Sequence, residues 1–127
     1  MFNRYMLTWT RGTYLVVDDD DTFRRLVVRR LRQLGFEVID VDSVHAAQAV
    51  LDLRRVDAIL SDYRMPLQDG LDLLREVRAR WPHMPFIIMT AQLEPELEQR
   101  VAELDGTAVV AKTSAIDALA QLTLVSR

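Results

Sequence analysis

The chain has 127 residues, half of them apolar and 28% charged, with a net charge of −3 and no cysteine. This length fits one globular domain, the lack of cysteine excludes disulfides and thiol catalysis, and the acidic balance argues against a nucleic-acid-binding surface or a polybasic membrane anchor. No apolar run approaches the ~20 residues of a membrane-spanning helix. We therefore expect a cytoplasmic protein, with residues 1–12 as a disordered or weakly ordered leader and residues 13–127 as the domain.

Five short runs rich in β-branched and apolar residues recur along that domain. Their hydrophobicity is continuous and does not alternate with polar residues, which is typical of strands buried on both faces. The five runs are residues 13–18, 36–40, 57–62, 85–90 and 107–112. They predict a sheet that is covered on both sides.

Segments with the period of an amphipathic helix separate these runs. Gly35 ends the first helix, and Ser43 is a candidate N-cap for the second. The third is "DGLDLLREVRARW", the fourth "EPELEQRVAELDG" and the fifth "SAIDALAQLTLV". Strict alternation of strand and helix predicts an α/β fold with a parallel sheet. For five strands we expect a flavodoxin-like (βα)5 three-layer sandwich with strand order 2-1-3-4-5.

Polar side chains stand at the ends of four of the predicted strands. Strand 1 ends at Asp18 and Asp19, strand 3 at Asp62, strand 4 at Thr90 and strand 5 at Lys112. Because ligands of open α/β sheets bind outside the carboxyl ends of the strands, we expect these five side chains to meet at one edge. Clustered carboxylates repel one another, and a hard divalent cation with oxygen ligands relieves that repulsion. The pattern predicts a Mg²⁺ site formed by the three carboxylates.

The remaining acidic and basic residues near this edge have simpler interpretations. Asp20 and Asp21 are expected to begin the first helix, where negative charge suits the positive end of the helix dipole. Asp40 and Asp42, at an outer strand, are expected to be solvated or to cap a helix. The arginines of the first helix are interpreted as a solvated face of an acidic protein; they are Arg24, Arg25, Arg29, Arg30 and Arg32.

A carboxylate beside Mg²⁺, an ammonium and a hydroxyl can act as a nucleophile towards a phosphoryl group. The motifs that carry these groups are "LVVDDDDTFRRL", "LSDYRMPLQDGLDLL", "IIMTA" and "VVAK". In this order and spacing they resemble the receiver domain of two-component response regulators. The resemblance covers about residues 13–125.

The resemblance implies a role for each residue of the site. Asp62 would accept a phosphoryl group from a phosphohistidine on a sensor histidine kinase or phosphotransfer protein. The backbone carbonyl of Arg64 would be a further Mg²⁺ ligand, Thr90 would turn towards the phosphoryl group, and Lys112 would pair with it. Such a domain catalyses its own phosphorylation and dephosphorylation but is not a turnover enzyme.

The resemblance also implies a place for the output. Pro66 and Gly70 would shape the loop after the acceptor. The surface formed by helix 4, strand 5 and helix 5 would switch on phosphorylation. It would bind an output domain, a partner protein or a second copy of the chain.

Three departures from the family pattern stand out. Thr113 follows Lys112 where the family usually has a proline, often after a cis peptide bond, so we expect a trans bond here. Val109 replaces the usual aromatic switch residue. Arg64 and Gln92 occupy positions at which the family varies its hydrolysis rate, and we expect Arg64 to shield the acyl phosphate and lengthen its lifetime.

Two alternatives stay open. A haloacid dehalogenase-like phosphatase also uses an aspartyl phosphate and Mg²⁺, and "DDDD" contains its D-x-D spacing. A chain of 127 residues leaves little room for the cap domain of such an enzyme. The second alternative is a receiver-like binding scaffold that no longer takes phosphate, which Val109 and Thr113 make conceivable.

Overall fold

The computed structural model describes residues 12–104 and 107–120, with side chains described as far as residue 117. In these ranges five strands alternate with five helices. The strands are β1 (Thr13–Val17), β2 (Glu37–Val41), β3 (Ala58–Asp62), β4 (Phe86–Thr90) and β5 (Thr107–Ala111). The helices are α1 (Asp21–Gln33), α2 (Val44–Leu53), α3 (Gly70–Arg80), α4 (Pro95–Ala102) and α5 (Lys112–Ala120). The predicted leader lies outside the described residues except for Gly12.

All five strands are parallel, and they lie in the order β2-β1-β3-β4-β5. The predicted flavodoxin-like order is therefore confirmed. Strands β3 and β4 are buried along their whole length, as their continuous apolar runs predict. No helix in the described part of the chain is long and apolar enough to cross a bilayer.

The core is divided between the two faces of the sheet because consecutive strand residues point to opposite sides. Val16 belongs to the cluster under α1 and α5, whereas its neighbour Val17 belongs to the cluster under α2, α3 and α4. The helix residues that close the first cluster are Val27, Val28, Leu31 and Ala115. Those that close the second include Leu51, Leu74, Val77, Leu97 and Val101. The molecule thus has the three predicted layers.

Polar side chains cap the first turns of three helices. The Asp20 carboxylate accepts hydrogen bonds from the backbone N–H groups of Thr22 and Phe23, at 3.0 and 3.2 Å, so Asp20 is the N-cap of α1 as expected. The Ser43 hydroxyl caps α2 in the predicted way. Asp69 caps α3 through a reciprocal capping box with its third residue. The starts of α1, α2 and α3 are therefore specified locally by capping residues that the sequence displays.

The end of β5 differs from the sequence prediction. The sequence pattern places Lys112 in the strand and starts the last helix at Ser114. In the structure β5 ends at Ala111 and Lys112 is the first residue of α5. The reason lies in Thr113: a proline there would exclude Lys112 from helical backbone angles, and threonine does not. The predicted trans bond is confirmed, since the described residues contain no cis peptide bond.

Leu67 has a backbone conformation that its side chain disfavours. Its φ of 72° lies in the left-handed region, and its side chain is fully exposed in the loop between β3 and α3. A residue with a Cβ atom loses about 1–2 kcal/mol in this region, and asparagine tolerates it better. The loop therefore contains local backbone strain at an exposed residue.

We expect Leu67→Asn to raise the free energy of unfolding by about 0.5–1 kcal/mol, because the strain is relieved and no buried contact is lost. Urea unfolding of the variant and the wild type measures the difference. Leu93→Asn is the matched control, since Leu93 is also exposed but has an ordinary φ. A Leu67 variant no more stable than the wild type would contradict this account.

Candidate functional site

Strand register brings the predicted site residues together at the carboxyl edge of the sheet. Val17 pairs with Ser61 across β1 and β3, so Asp18 and Asp62, one residue further along, are neighbours. Carboxylate oxygens of Asp18, Asp19 and Asp62 lie within 4.8 Å of one another. Asp18 and Asp62 are buried, whereas Asp19 is exposed to solvent. The predicted cluster of three carboxylates is present, with one open side.

Asp18 is held by its own loop on several sides. One carboxylate oxygen accepts a hydrogen bond from the backbone N–H of Asp20 at 2.9 Å, and the Asp18 N–H donates to the carbonyl of Val41 at 3.1 Å. The Asp18 carbonyl accepts from the Arg24 guanidinium at 2.8 Å. The carboxylate is therefore fixed by backbone geometry before any ligand arrives.

Lys112 lies between the two buried carboxylates. Its Nζ is 2.9 Å from Asp18 Oδ2 and 3.4 Å from Asp62 Oδ1. Burial alone would lower the pKa of Lys112, but the hydrogen bond to Asp18 and the charges of Asp18 and Asp62 outweigh it, so the pKa is raised. Lys112 thus carries a full positive charge inside the site, as the sequence predicted.

The pKa of Asp62 is raised even though the Lys112 ammonium lies close to it. Burial, followed by the charge of Asp18, raises the pKa of Asp62 from its ordinary value of 3.8 to about 7, against the opposing effect of Lys112. Two buried carboxylates and an exposed one outweigh the single positive charge. The donor set consists of hard oxygens with an open side, which fits a divalent cation such as Mg²⁺.

Thr90 reaches the same edge, but its hydroxyl has another partner. Thr90 is the last residue of β4 and is buried, and its Oγ1 donates a hydrogen bond to the Gln92 carbonyl at 3.0 Å. The hydroxyl therefore caps its own loop in this structure. Val109 packs against the core cluster under α4, so an aliphatic side chain fills the position of the aromatic switch.

Arg64 makes a contact that the sequence prediction missed. Its guanidinium donates to Glu94 at 3.0 Å and lies 4.9 Å from the centroid of the Tyr63 ring. Glu94 is the N-cap residue of α4. Both partners are largely exposed, so the pair adds little to stability. It does join the loop after β3 to the start of α4, and partners 30 positions apart leave no local signal in the sequence.

The expectation of a solvated arginine face is wrong for Arg24. Its guanidinium contacts Asp21 at 2.7 Å and Asp40 at 2.9 Å, in addition to the Asp18 carbonyl. Asp40 is correspondingly paired, not merely solvated. The spacing of Asp21 and Arg24, three residues apart on a helix, was the available signal. The exposed members of the predicted arginine face are Arg25, Arg29 and Arg32.

Gly70 allows α3 to begin close to the end of β3. Its N–H donates to the carbonyl of Tyr63 at 2.7 Å, and a Cβ atom at this position would clash with the Asp62 carbonyl oxygen. Only glycine permits this approach. The predicted role of Gly70 in shaping the loop therefore has a direct geometric basis.

A family model described as the response regulator receiver domain matches residues 14–123. The chain belongs to this family. Chemotaxis protein CheY of Pseudomonas aeruginosa is 36% identical to this receiver domain over 100 residues, which cover 75% of the chain and 81% of CheY. The DNA-binding transcriptional regulator NtrC of Salmonella typhimurium is 41% identical over 81 residues, covering 64% of the chain but 17% of NtrC. The chain therefore spans only a small part of the NtrC-type relatives.

The fold comparison agrees with the family. A solved structure of response regulator protein TrrA from Thermotoga maritima, in complex with Mg²⁺-BeF, matches with a TM-score of 0.71 at 23% identity. The match covers 85% of this chain and 98% of TrrA. As a receiver domain the protein belongs to a family of phosphorelay signalling domains that are not generally turnover enzymes. The family match selects the receiver hypothesis over the dehalogenase-like phosphatase.

The raised pKa of Asp62 makes the stability of the metal-free protein depend on pH. A carboxyl group whose pKa is higher in the folded state contributes its full stability below its ordinary pKa, which is 3.8 for Asp62. That contribution is lost as the pH rises from 3.8 through the folded-state pKa of about 7. Asparagine has no such charge. We therefore expect Asp62→Asn to stabilise the metal-free protein more at about pH 8 than at about pH 5.

Urea unfolding in EDTA at the two pH values measures this difference. Repeating the series with Mg²⁺ is the control, since a cation bound at the carboxylates removes the repulsion in the wild type. Equal gains at both pH values without metal would show that Asp62 ionises as an ordinary carboxyl group.

Proposed function

We propose that Asp62 accepts a phosphoryl group from a phosphohistidine and that this modification switches a protein-binding surface. The observation that carries the proposal is the convergence of three carboxylates and Lys112 at the carboxyl edge of the sheet. Residues 13–127 form the receiver domain in this proposal. The ligands of Mg²⁺ are the side chains of Asp18, Asp19 and Asp62 and the backbone carbonyl of Arg64.

Several features of the site support the choice of cation. The carboxylate cluster carries an excess of negative charge, and all its donors are oxygen atoms. The TrrA structure, with the same fold, was solved with Mg²⁺-BeF. When bound, Mg²⁺ would supply positive charge towards the oxygens of the incoming phosphoryl group.

Asp62 and Lys112 would carry out the other parts of the phosphoryl transfer. A carboxylate oxygen of Asp62 attacks the phosphorus atom while the bond from phosphorus to the histidine nitrogen breaks. Asp62 must be ionised to attack, and the Lys112 ammonium, 3.4 Å away, favours the ionised form. Lys112 then pairs with a phosphoryl oxygen. Asp62 itself is buried, which limits its contact with bulk water.

Thr90 provides the link from the site to the surface. Its hydroxyl can donate to only one acceptor at a time, so bonding to a phosphoryl oxygen requires it to leave the Gln92 carbonyl. The loop between β4 and α4 would lose that contact and shift. The result is a population shift of the surface formed by α4, β5 and α5, with a coupling of about 1–3 kcal/mol.

Membership of the receiver family supports the proposed partners. The donor is a sensor histidine kinase or a phosphotransfer protein. The switched surface binds an output domain, a partner protein or a second copy of the chain. The NtrC relatives are DNA-binding transcriptional regulators in which the matched region is 17% of the length, so a separate output domain fits them, whereas CheY is matched over most of its length. The receiver domain itself acts in the cytoplasm without touching nucleic acid or membrane.

Incubation with acetyl phosphate and Mg²⁺ should add one phosphoryl group to the wild-type protein, because a small donor needs only the site itself. Intact mass spectrometry detects the adduct. We expect no adduct on Asp62→Asn and none when EDTA replaces Mg²⁺. An unmodified wild type that also fails to bind beryllofluoride would favour the phosphate-independent scaffold.

Arg64→Ala should lose its acyl phosphate several-fold faster than the wild type, because the long side chain beside the acceptor shields it from water. Glu94→Gln is a second variant, which removes the charge of the ion-pair partner of Arg64. It releases the guanidinium from its present ion pair, so we expect slower hydrolysis than in the wild type. Decay of the adduct after removal of acetyl phosphate measures both rates. An Arg64→Ala rate equal to the wild-type rate would refute the shielding role.

A further inference from the structure

The position of Lys112 raises a question that the family pattern does not answer. Thr113 replaces the proline that usually follows this lysine, and α5 begins at Lys112 itself. A lysine side chain is long and flexible, and the backbone here lacks a proline ring to restrict it. Nevertheless Nζ lies between Asp18 and Asp62, with distances of 2.9 and 3.4 Å to their oxygens. Besides these two carboxylates, a third group of the described residues contacts the ammonium.

We propose that Phe23 is the positioning residue for Lys112. The Lys112 Nζ lies over the Phe23 ring, 4.7 Å from its centroid. A cation within about 6 Å of an aromatic ring centroid is attracted by the negative face of the ring, more strongly where water is excluded. The Lys112 side chain is only 17% exposed, so little water weakens the attraction between the ammonium and the ring. This inference rests on the proposed function, in which Lys112 pairs with the phosphoryl group.

The ring itself is fixed by the loop that forms the metal site. Phe23 lies in the first turn of α1, and its backbone N–H donates to the capping carboxylate of Asp20 at 3.2 Å. Its side chain packs against the core cluster under α1 and α5. The aspartate run therefore supplies carboxylates to the site and also fixes the helix turn that carries the ring.

An aromatic ring suits this position better than another polar group. An ammonium has three N–H donors, and a carboxylate or carbonyl partner would occupy one of them. The ring face attracts the charge as a whole and leaves the donors for Asp18, Asp62 and the incoming phosphoryl oxygens. It also adds no negative charge to a site that already has three carboxylates. Phe23 thus restricts Lys112 without competing for it.

Two substitutions at Phe23 distinguish an effect of the aromatic ring face from an effect of apolar packing. Phe23→Leu keeps an apolar side chain but removes the ring, and Phe23→Tyr keeps the ring. We expect the leucine variant to lose about fivefold in phosphorylation rate with acetyl phosphate and in beryllofluoride affinity. Its Mg²⁺ affinity should stay close to that of the wild type, because the ligands are untouched. The tyrosine variant should remain within about twofold of the wild type in all three measurements.

A spectroscopic measurement reports the contact directly. The ring current of Phe23 should shift the Lys112 ε-methylene NMR signals upfield, and this shift should vanish in Phe23→Leu and persist in Phe23→Tyr. Phe36→Leu is the matched control. Phe36 belongs to the same core cluster and stacks on Tyr14, with 4.2 Å between ring centroids. Its variant should lose stability but keep the lysine shift and the phosphorylation rate of the folded protein.

The outcomes distinguish this inference from the proposed function. A leucine variant with the wild-type rate, or with an unchanged lysine signal, overturns the role of Phe23 alone. A wild type that takes up neither a phosphoryl group nor beryllofluoride overturns the proposed function, and the role of Phe23 in it, even where the ring-current shift is present.

Discussion

The charge balance at the carboxyl edge of the sheet is the constraint on which the rest of the site depends. Two buried carboxylates face one ammonium, with a third carboxylate beside them in solvent. Burial, followed by the charge of Asp18, raises the pKa of Asp62. The excess of negative charge in the carboxylate cluster creates a demand for a cation. The four consecutive aspartates, residues 18–21, divide this charge among different tasks: two belong to the site, one caps α1, and one pairs with Arg24. Separate partners explain how four like charges in a row are accommodated.

A second consequence of this arrangement concerns the loop between β4 and α4. Thr90 holds it through the Gln92 carbonyl, and Arg64 holds its far end through Glu94. Both donors lie beside β3, and in the proposed function the Thr90 hydroxyl would exchange a neutral carbonyl for a charged phosphoryl oxygen. Val109 provides no aromatic side chain for the usual switch, and among the described residues these two contacts join the site to the loop before α4.

The order of strands and helices could be predicted because both signals are local. Continuous apolar runs mark the buried strands, and capping residues such as Ser43 and Asp20 mark helix starts. The site was predictable for a topological reason, since parallel strands bring their carboxyl ends to one edge. Asp18, Asp19, Asp62, Thr90 and Lys112 accordingly lie at that edge.

The contacts that were missed depend on side-chain directions across the fold. The pairs of Arg64 with Glu94 and of Arg24 with Asp40 join residues 30 and 16 positions apart, and no periodicity reports them. The direction of the Thr90 hydroxyl depends on its local loop and not on the residue type. The start of α5 was misplaced because a strand-like run continues smoothly into a residue that is free to adopt helical angles.

The start of α5 at Lys112 determines how a movement in the site could reach the helix. Lys112 is at once the cation of the site and the first residue of α5, so no spacer separates the chemistry from the helix. In a chain with an intervening rigid turn, the lysine could be re-aimed while the helix stayed in place. Here a shift of the lysine backbone is a shift of the helix end. Helix α5 is thus attached directly to the ammonium group that a phosphoryl group on Asp62 would attract. A displacement of Lys112 would therefore tilt α5 as a whole.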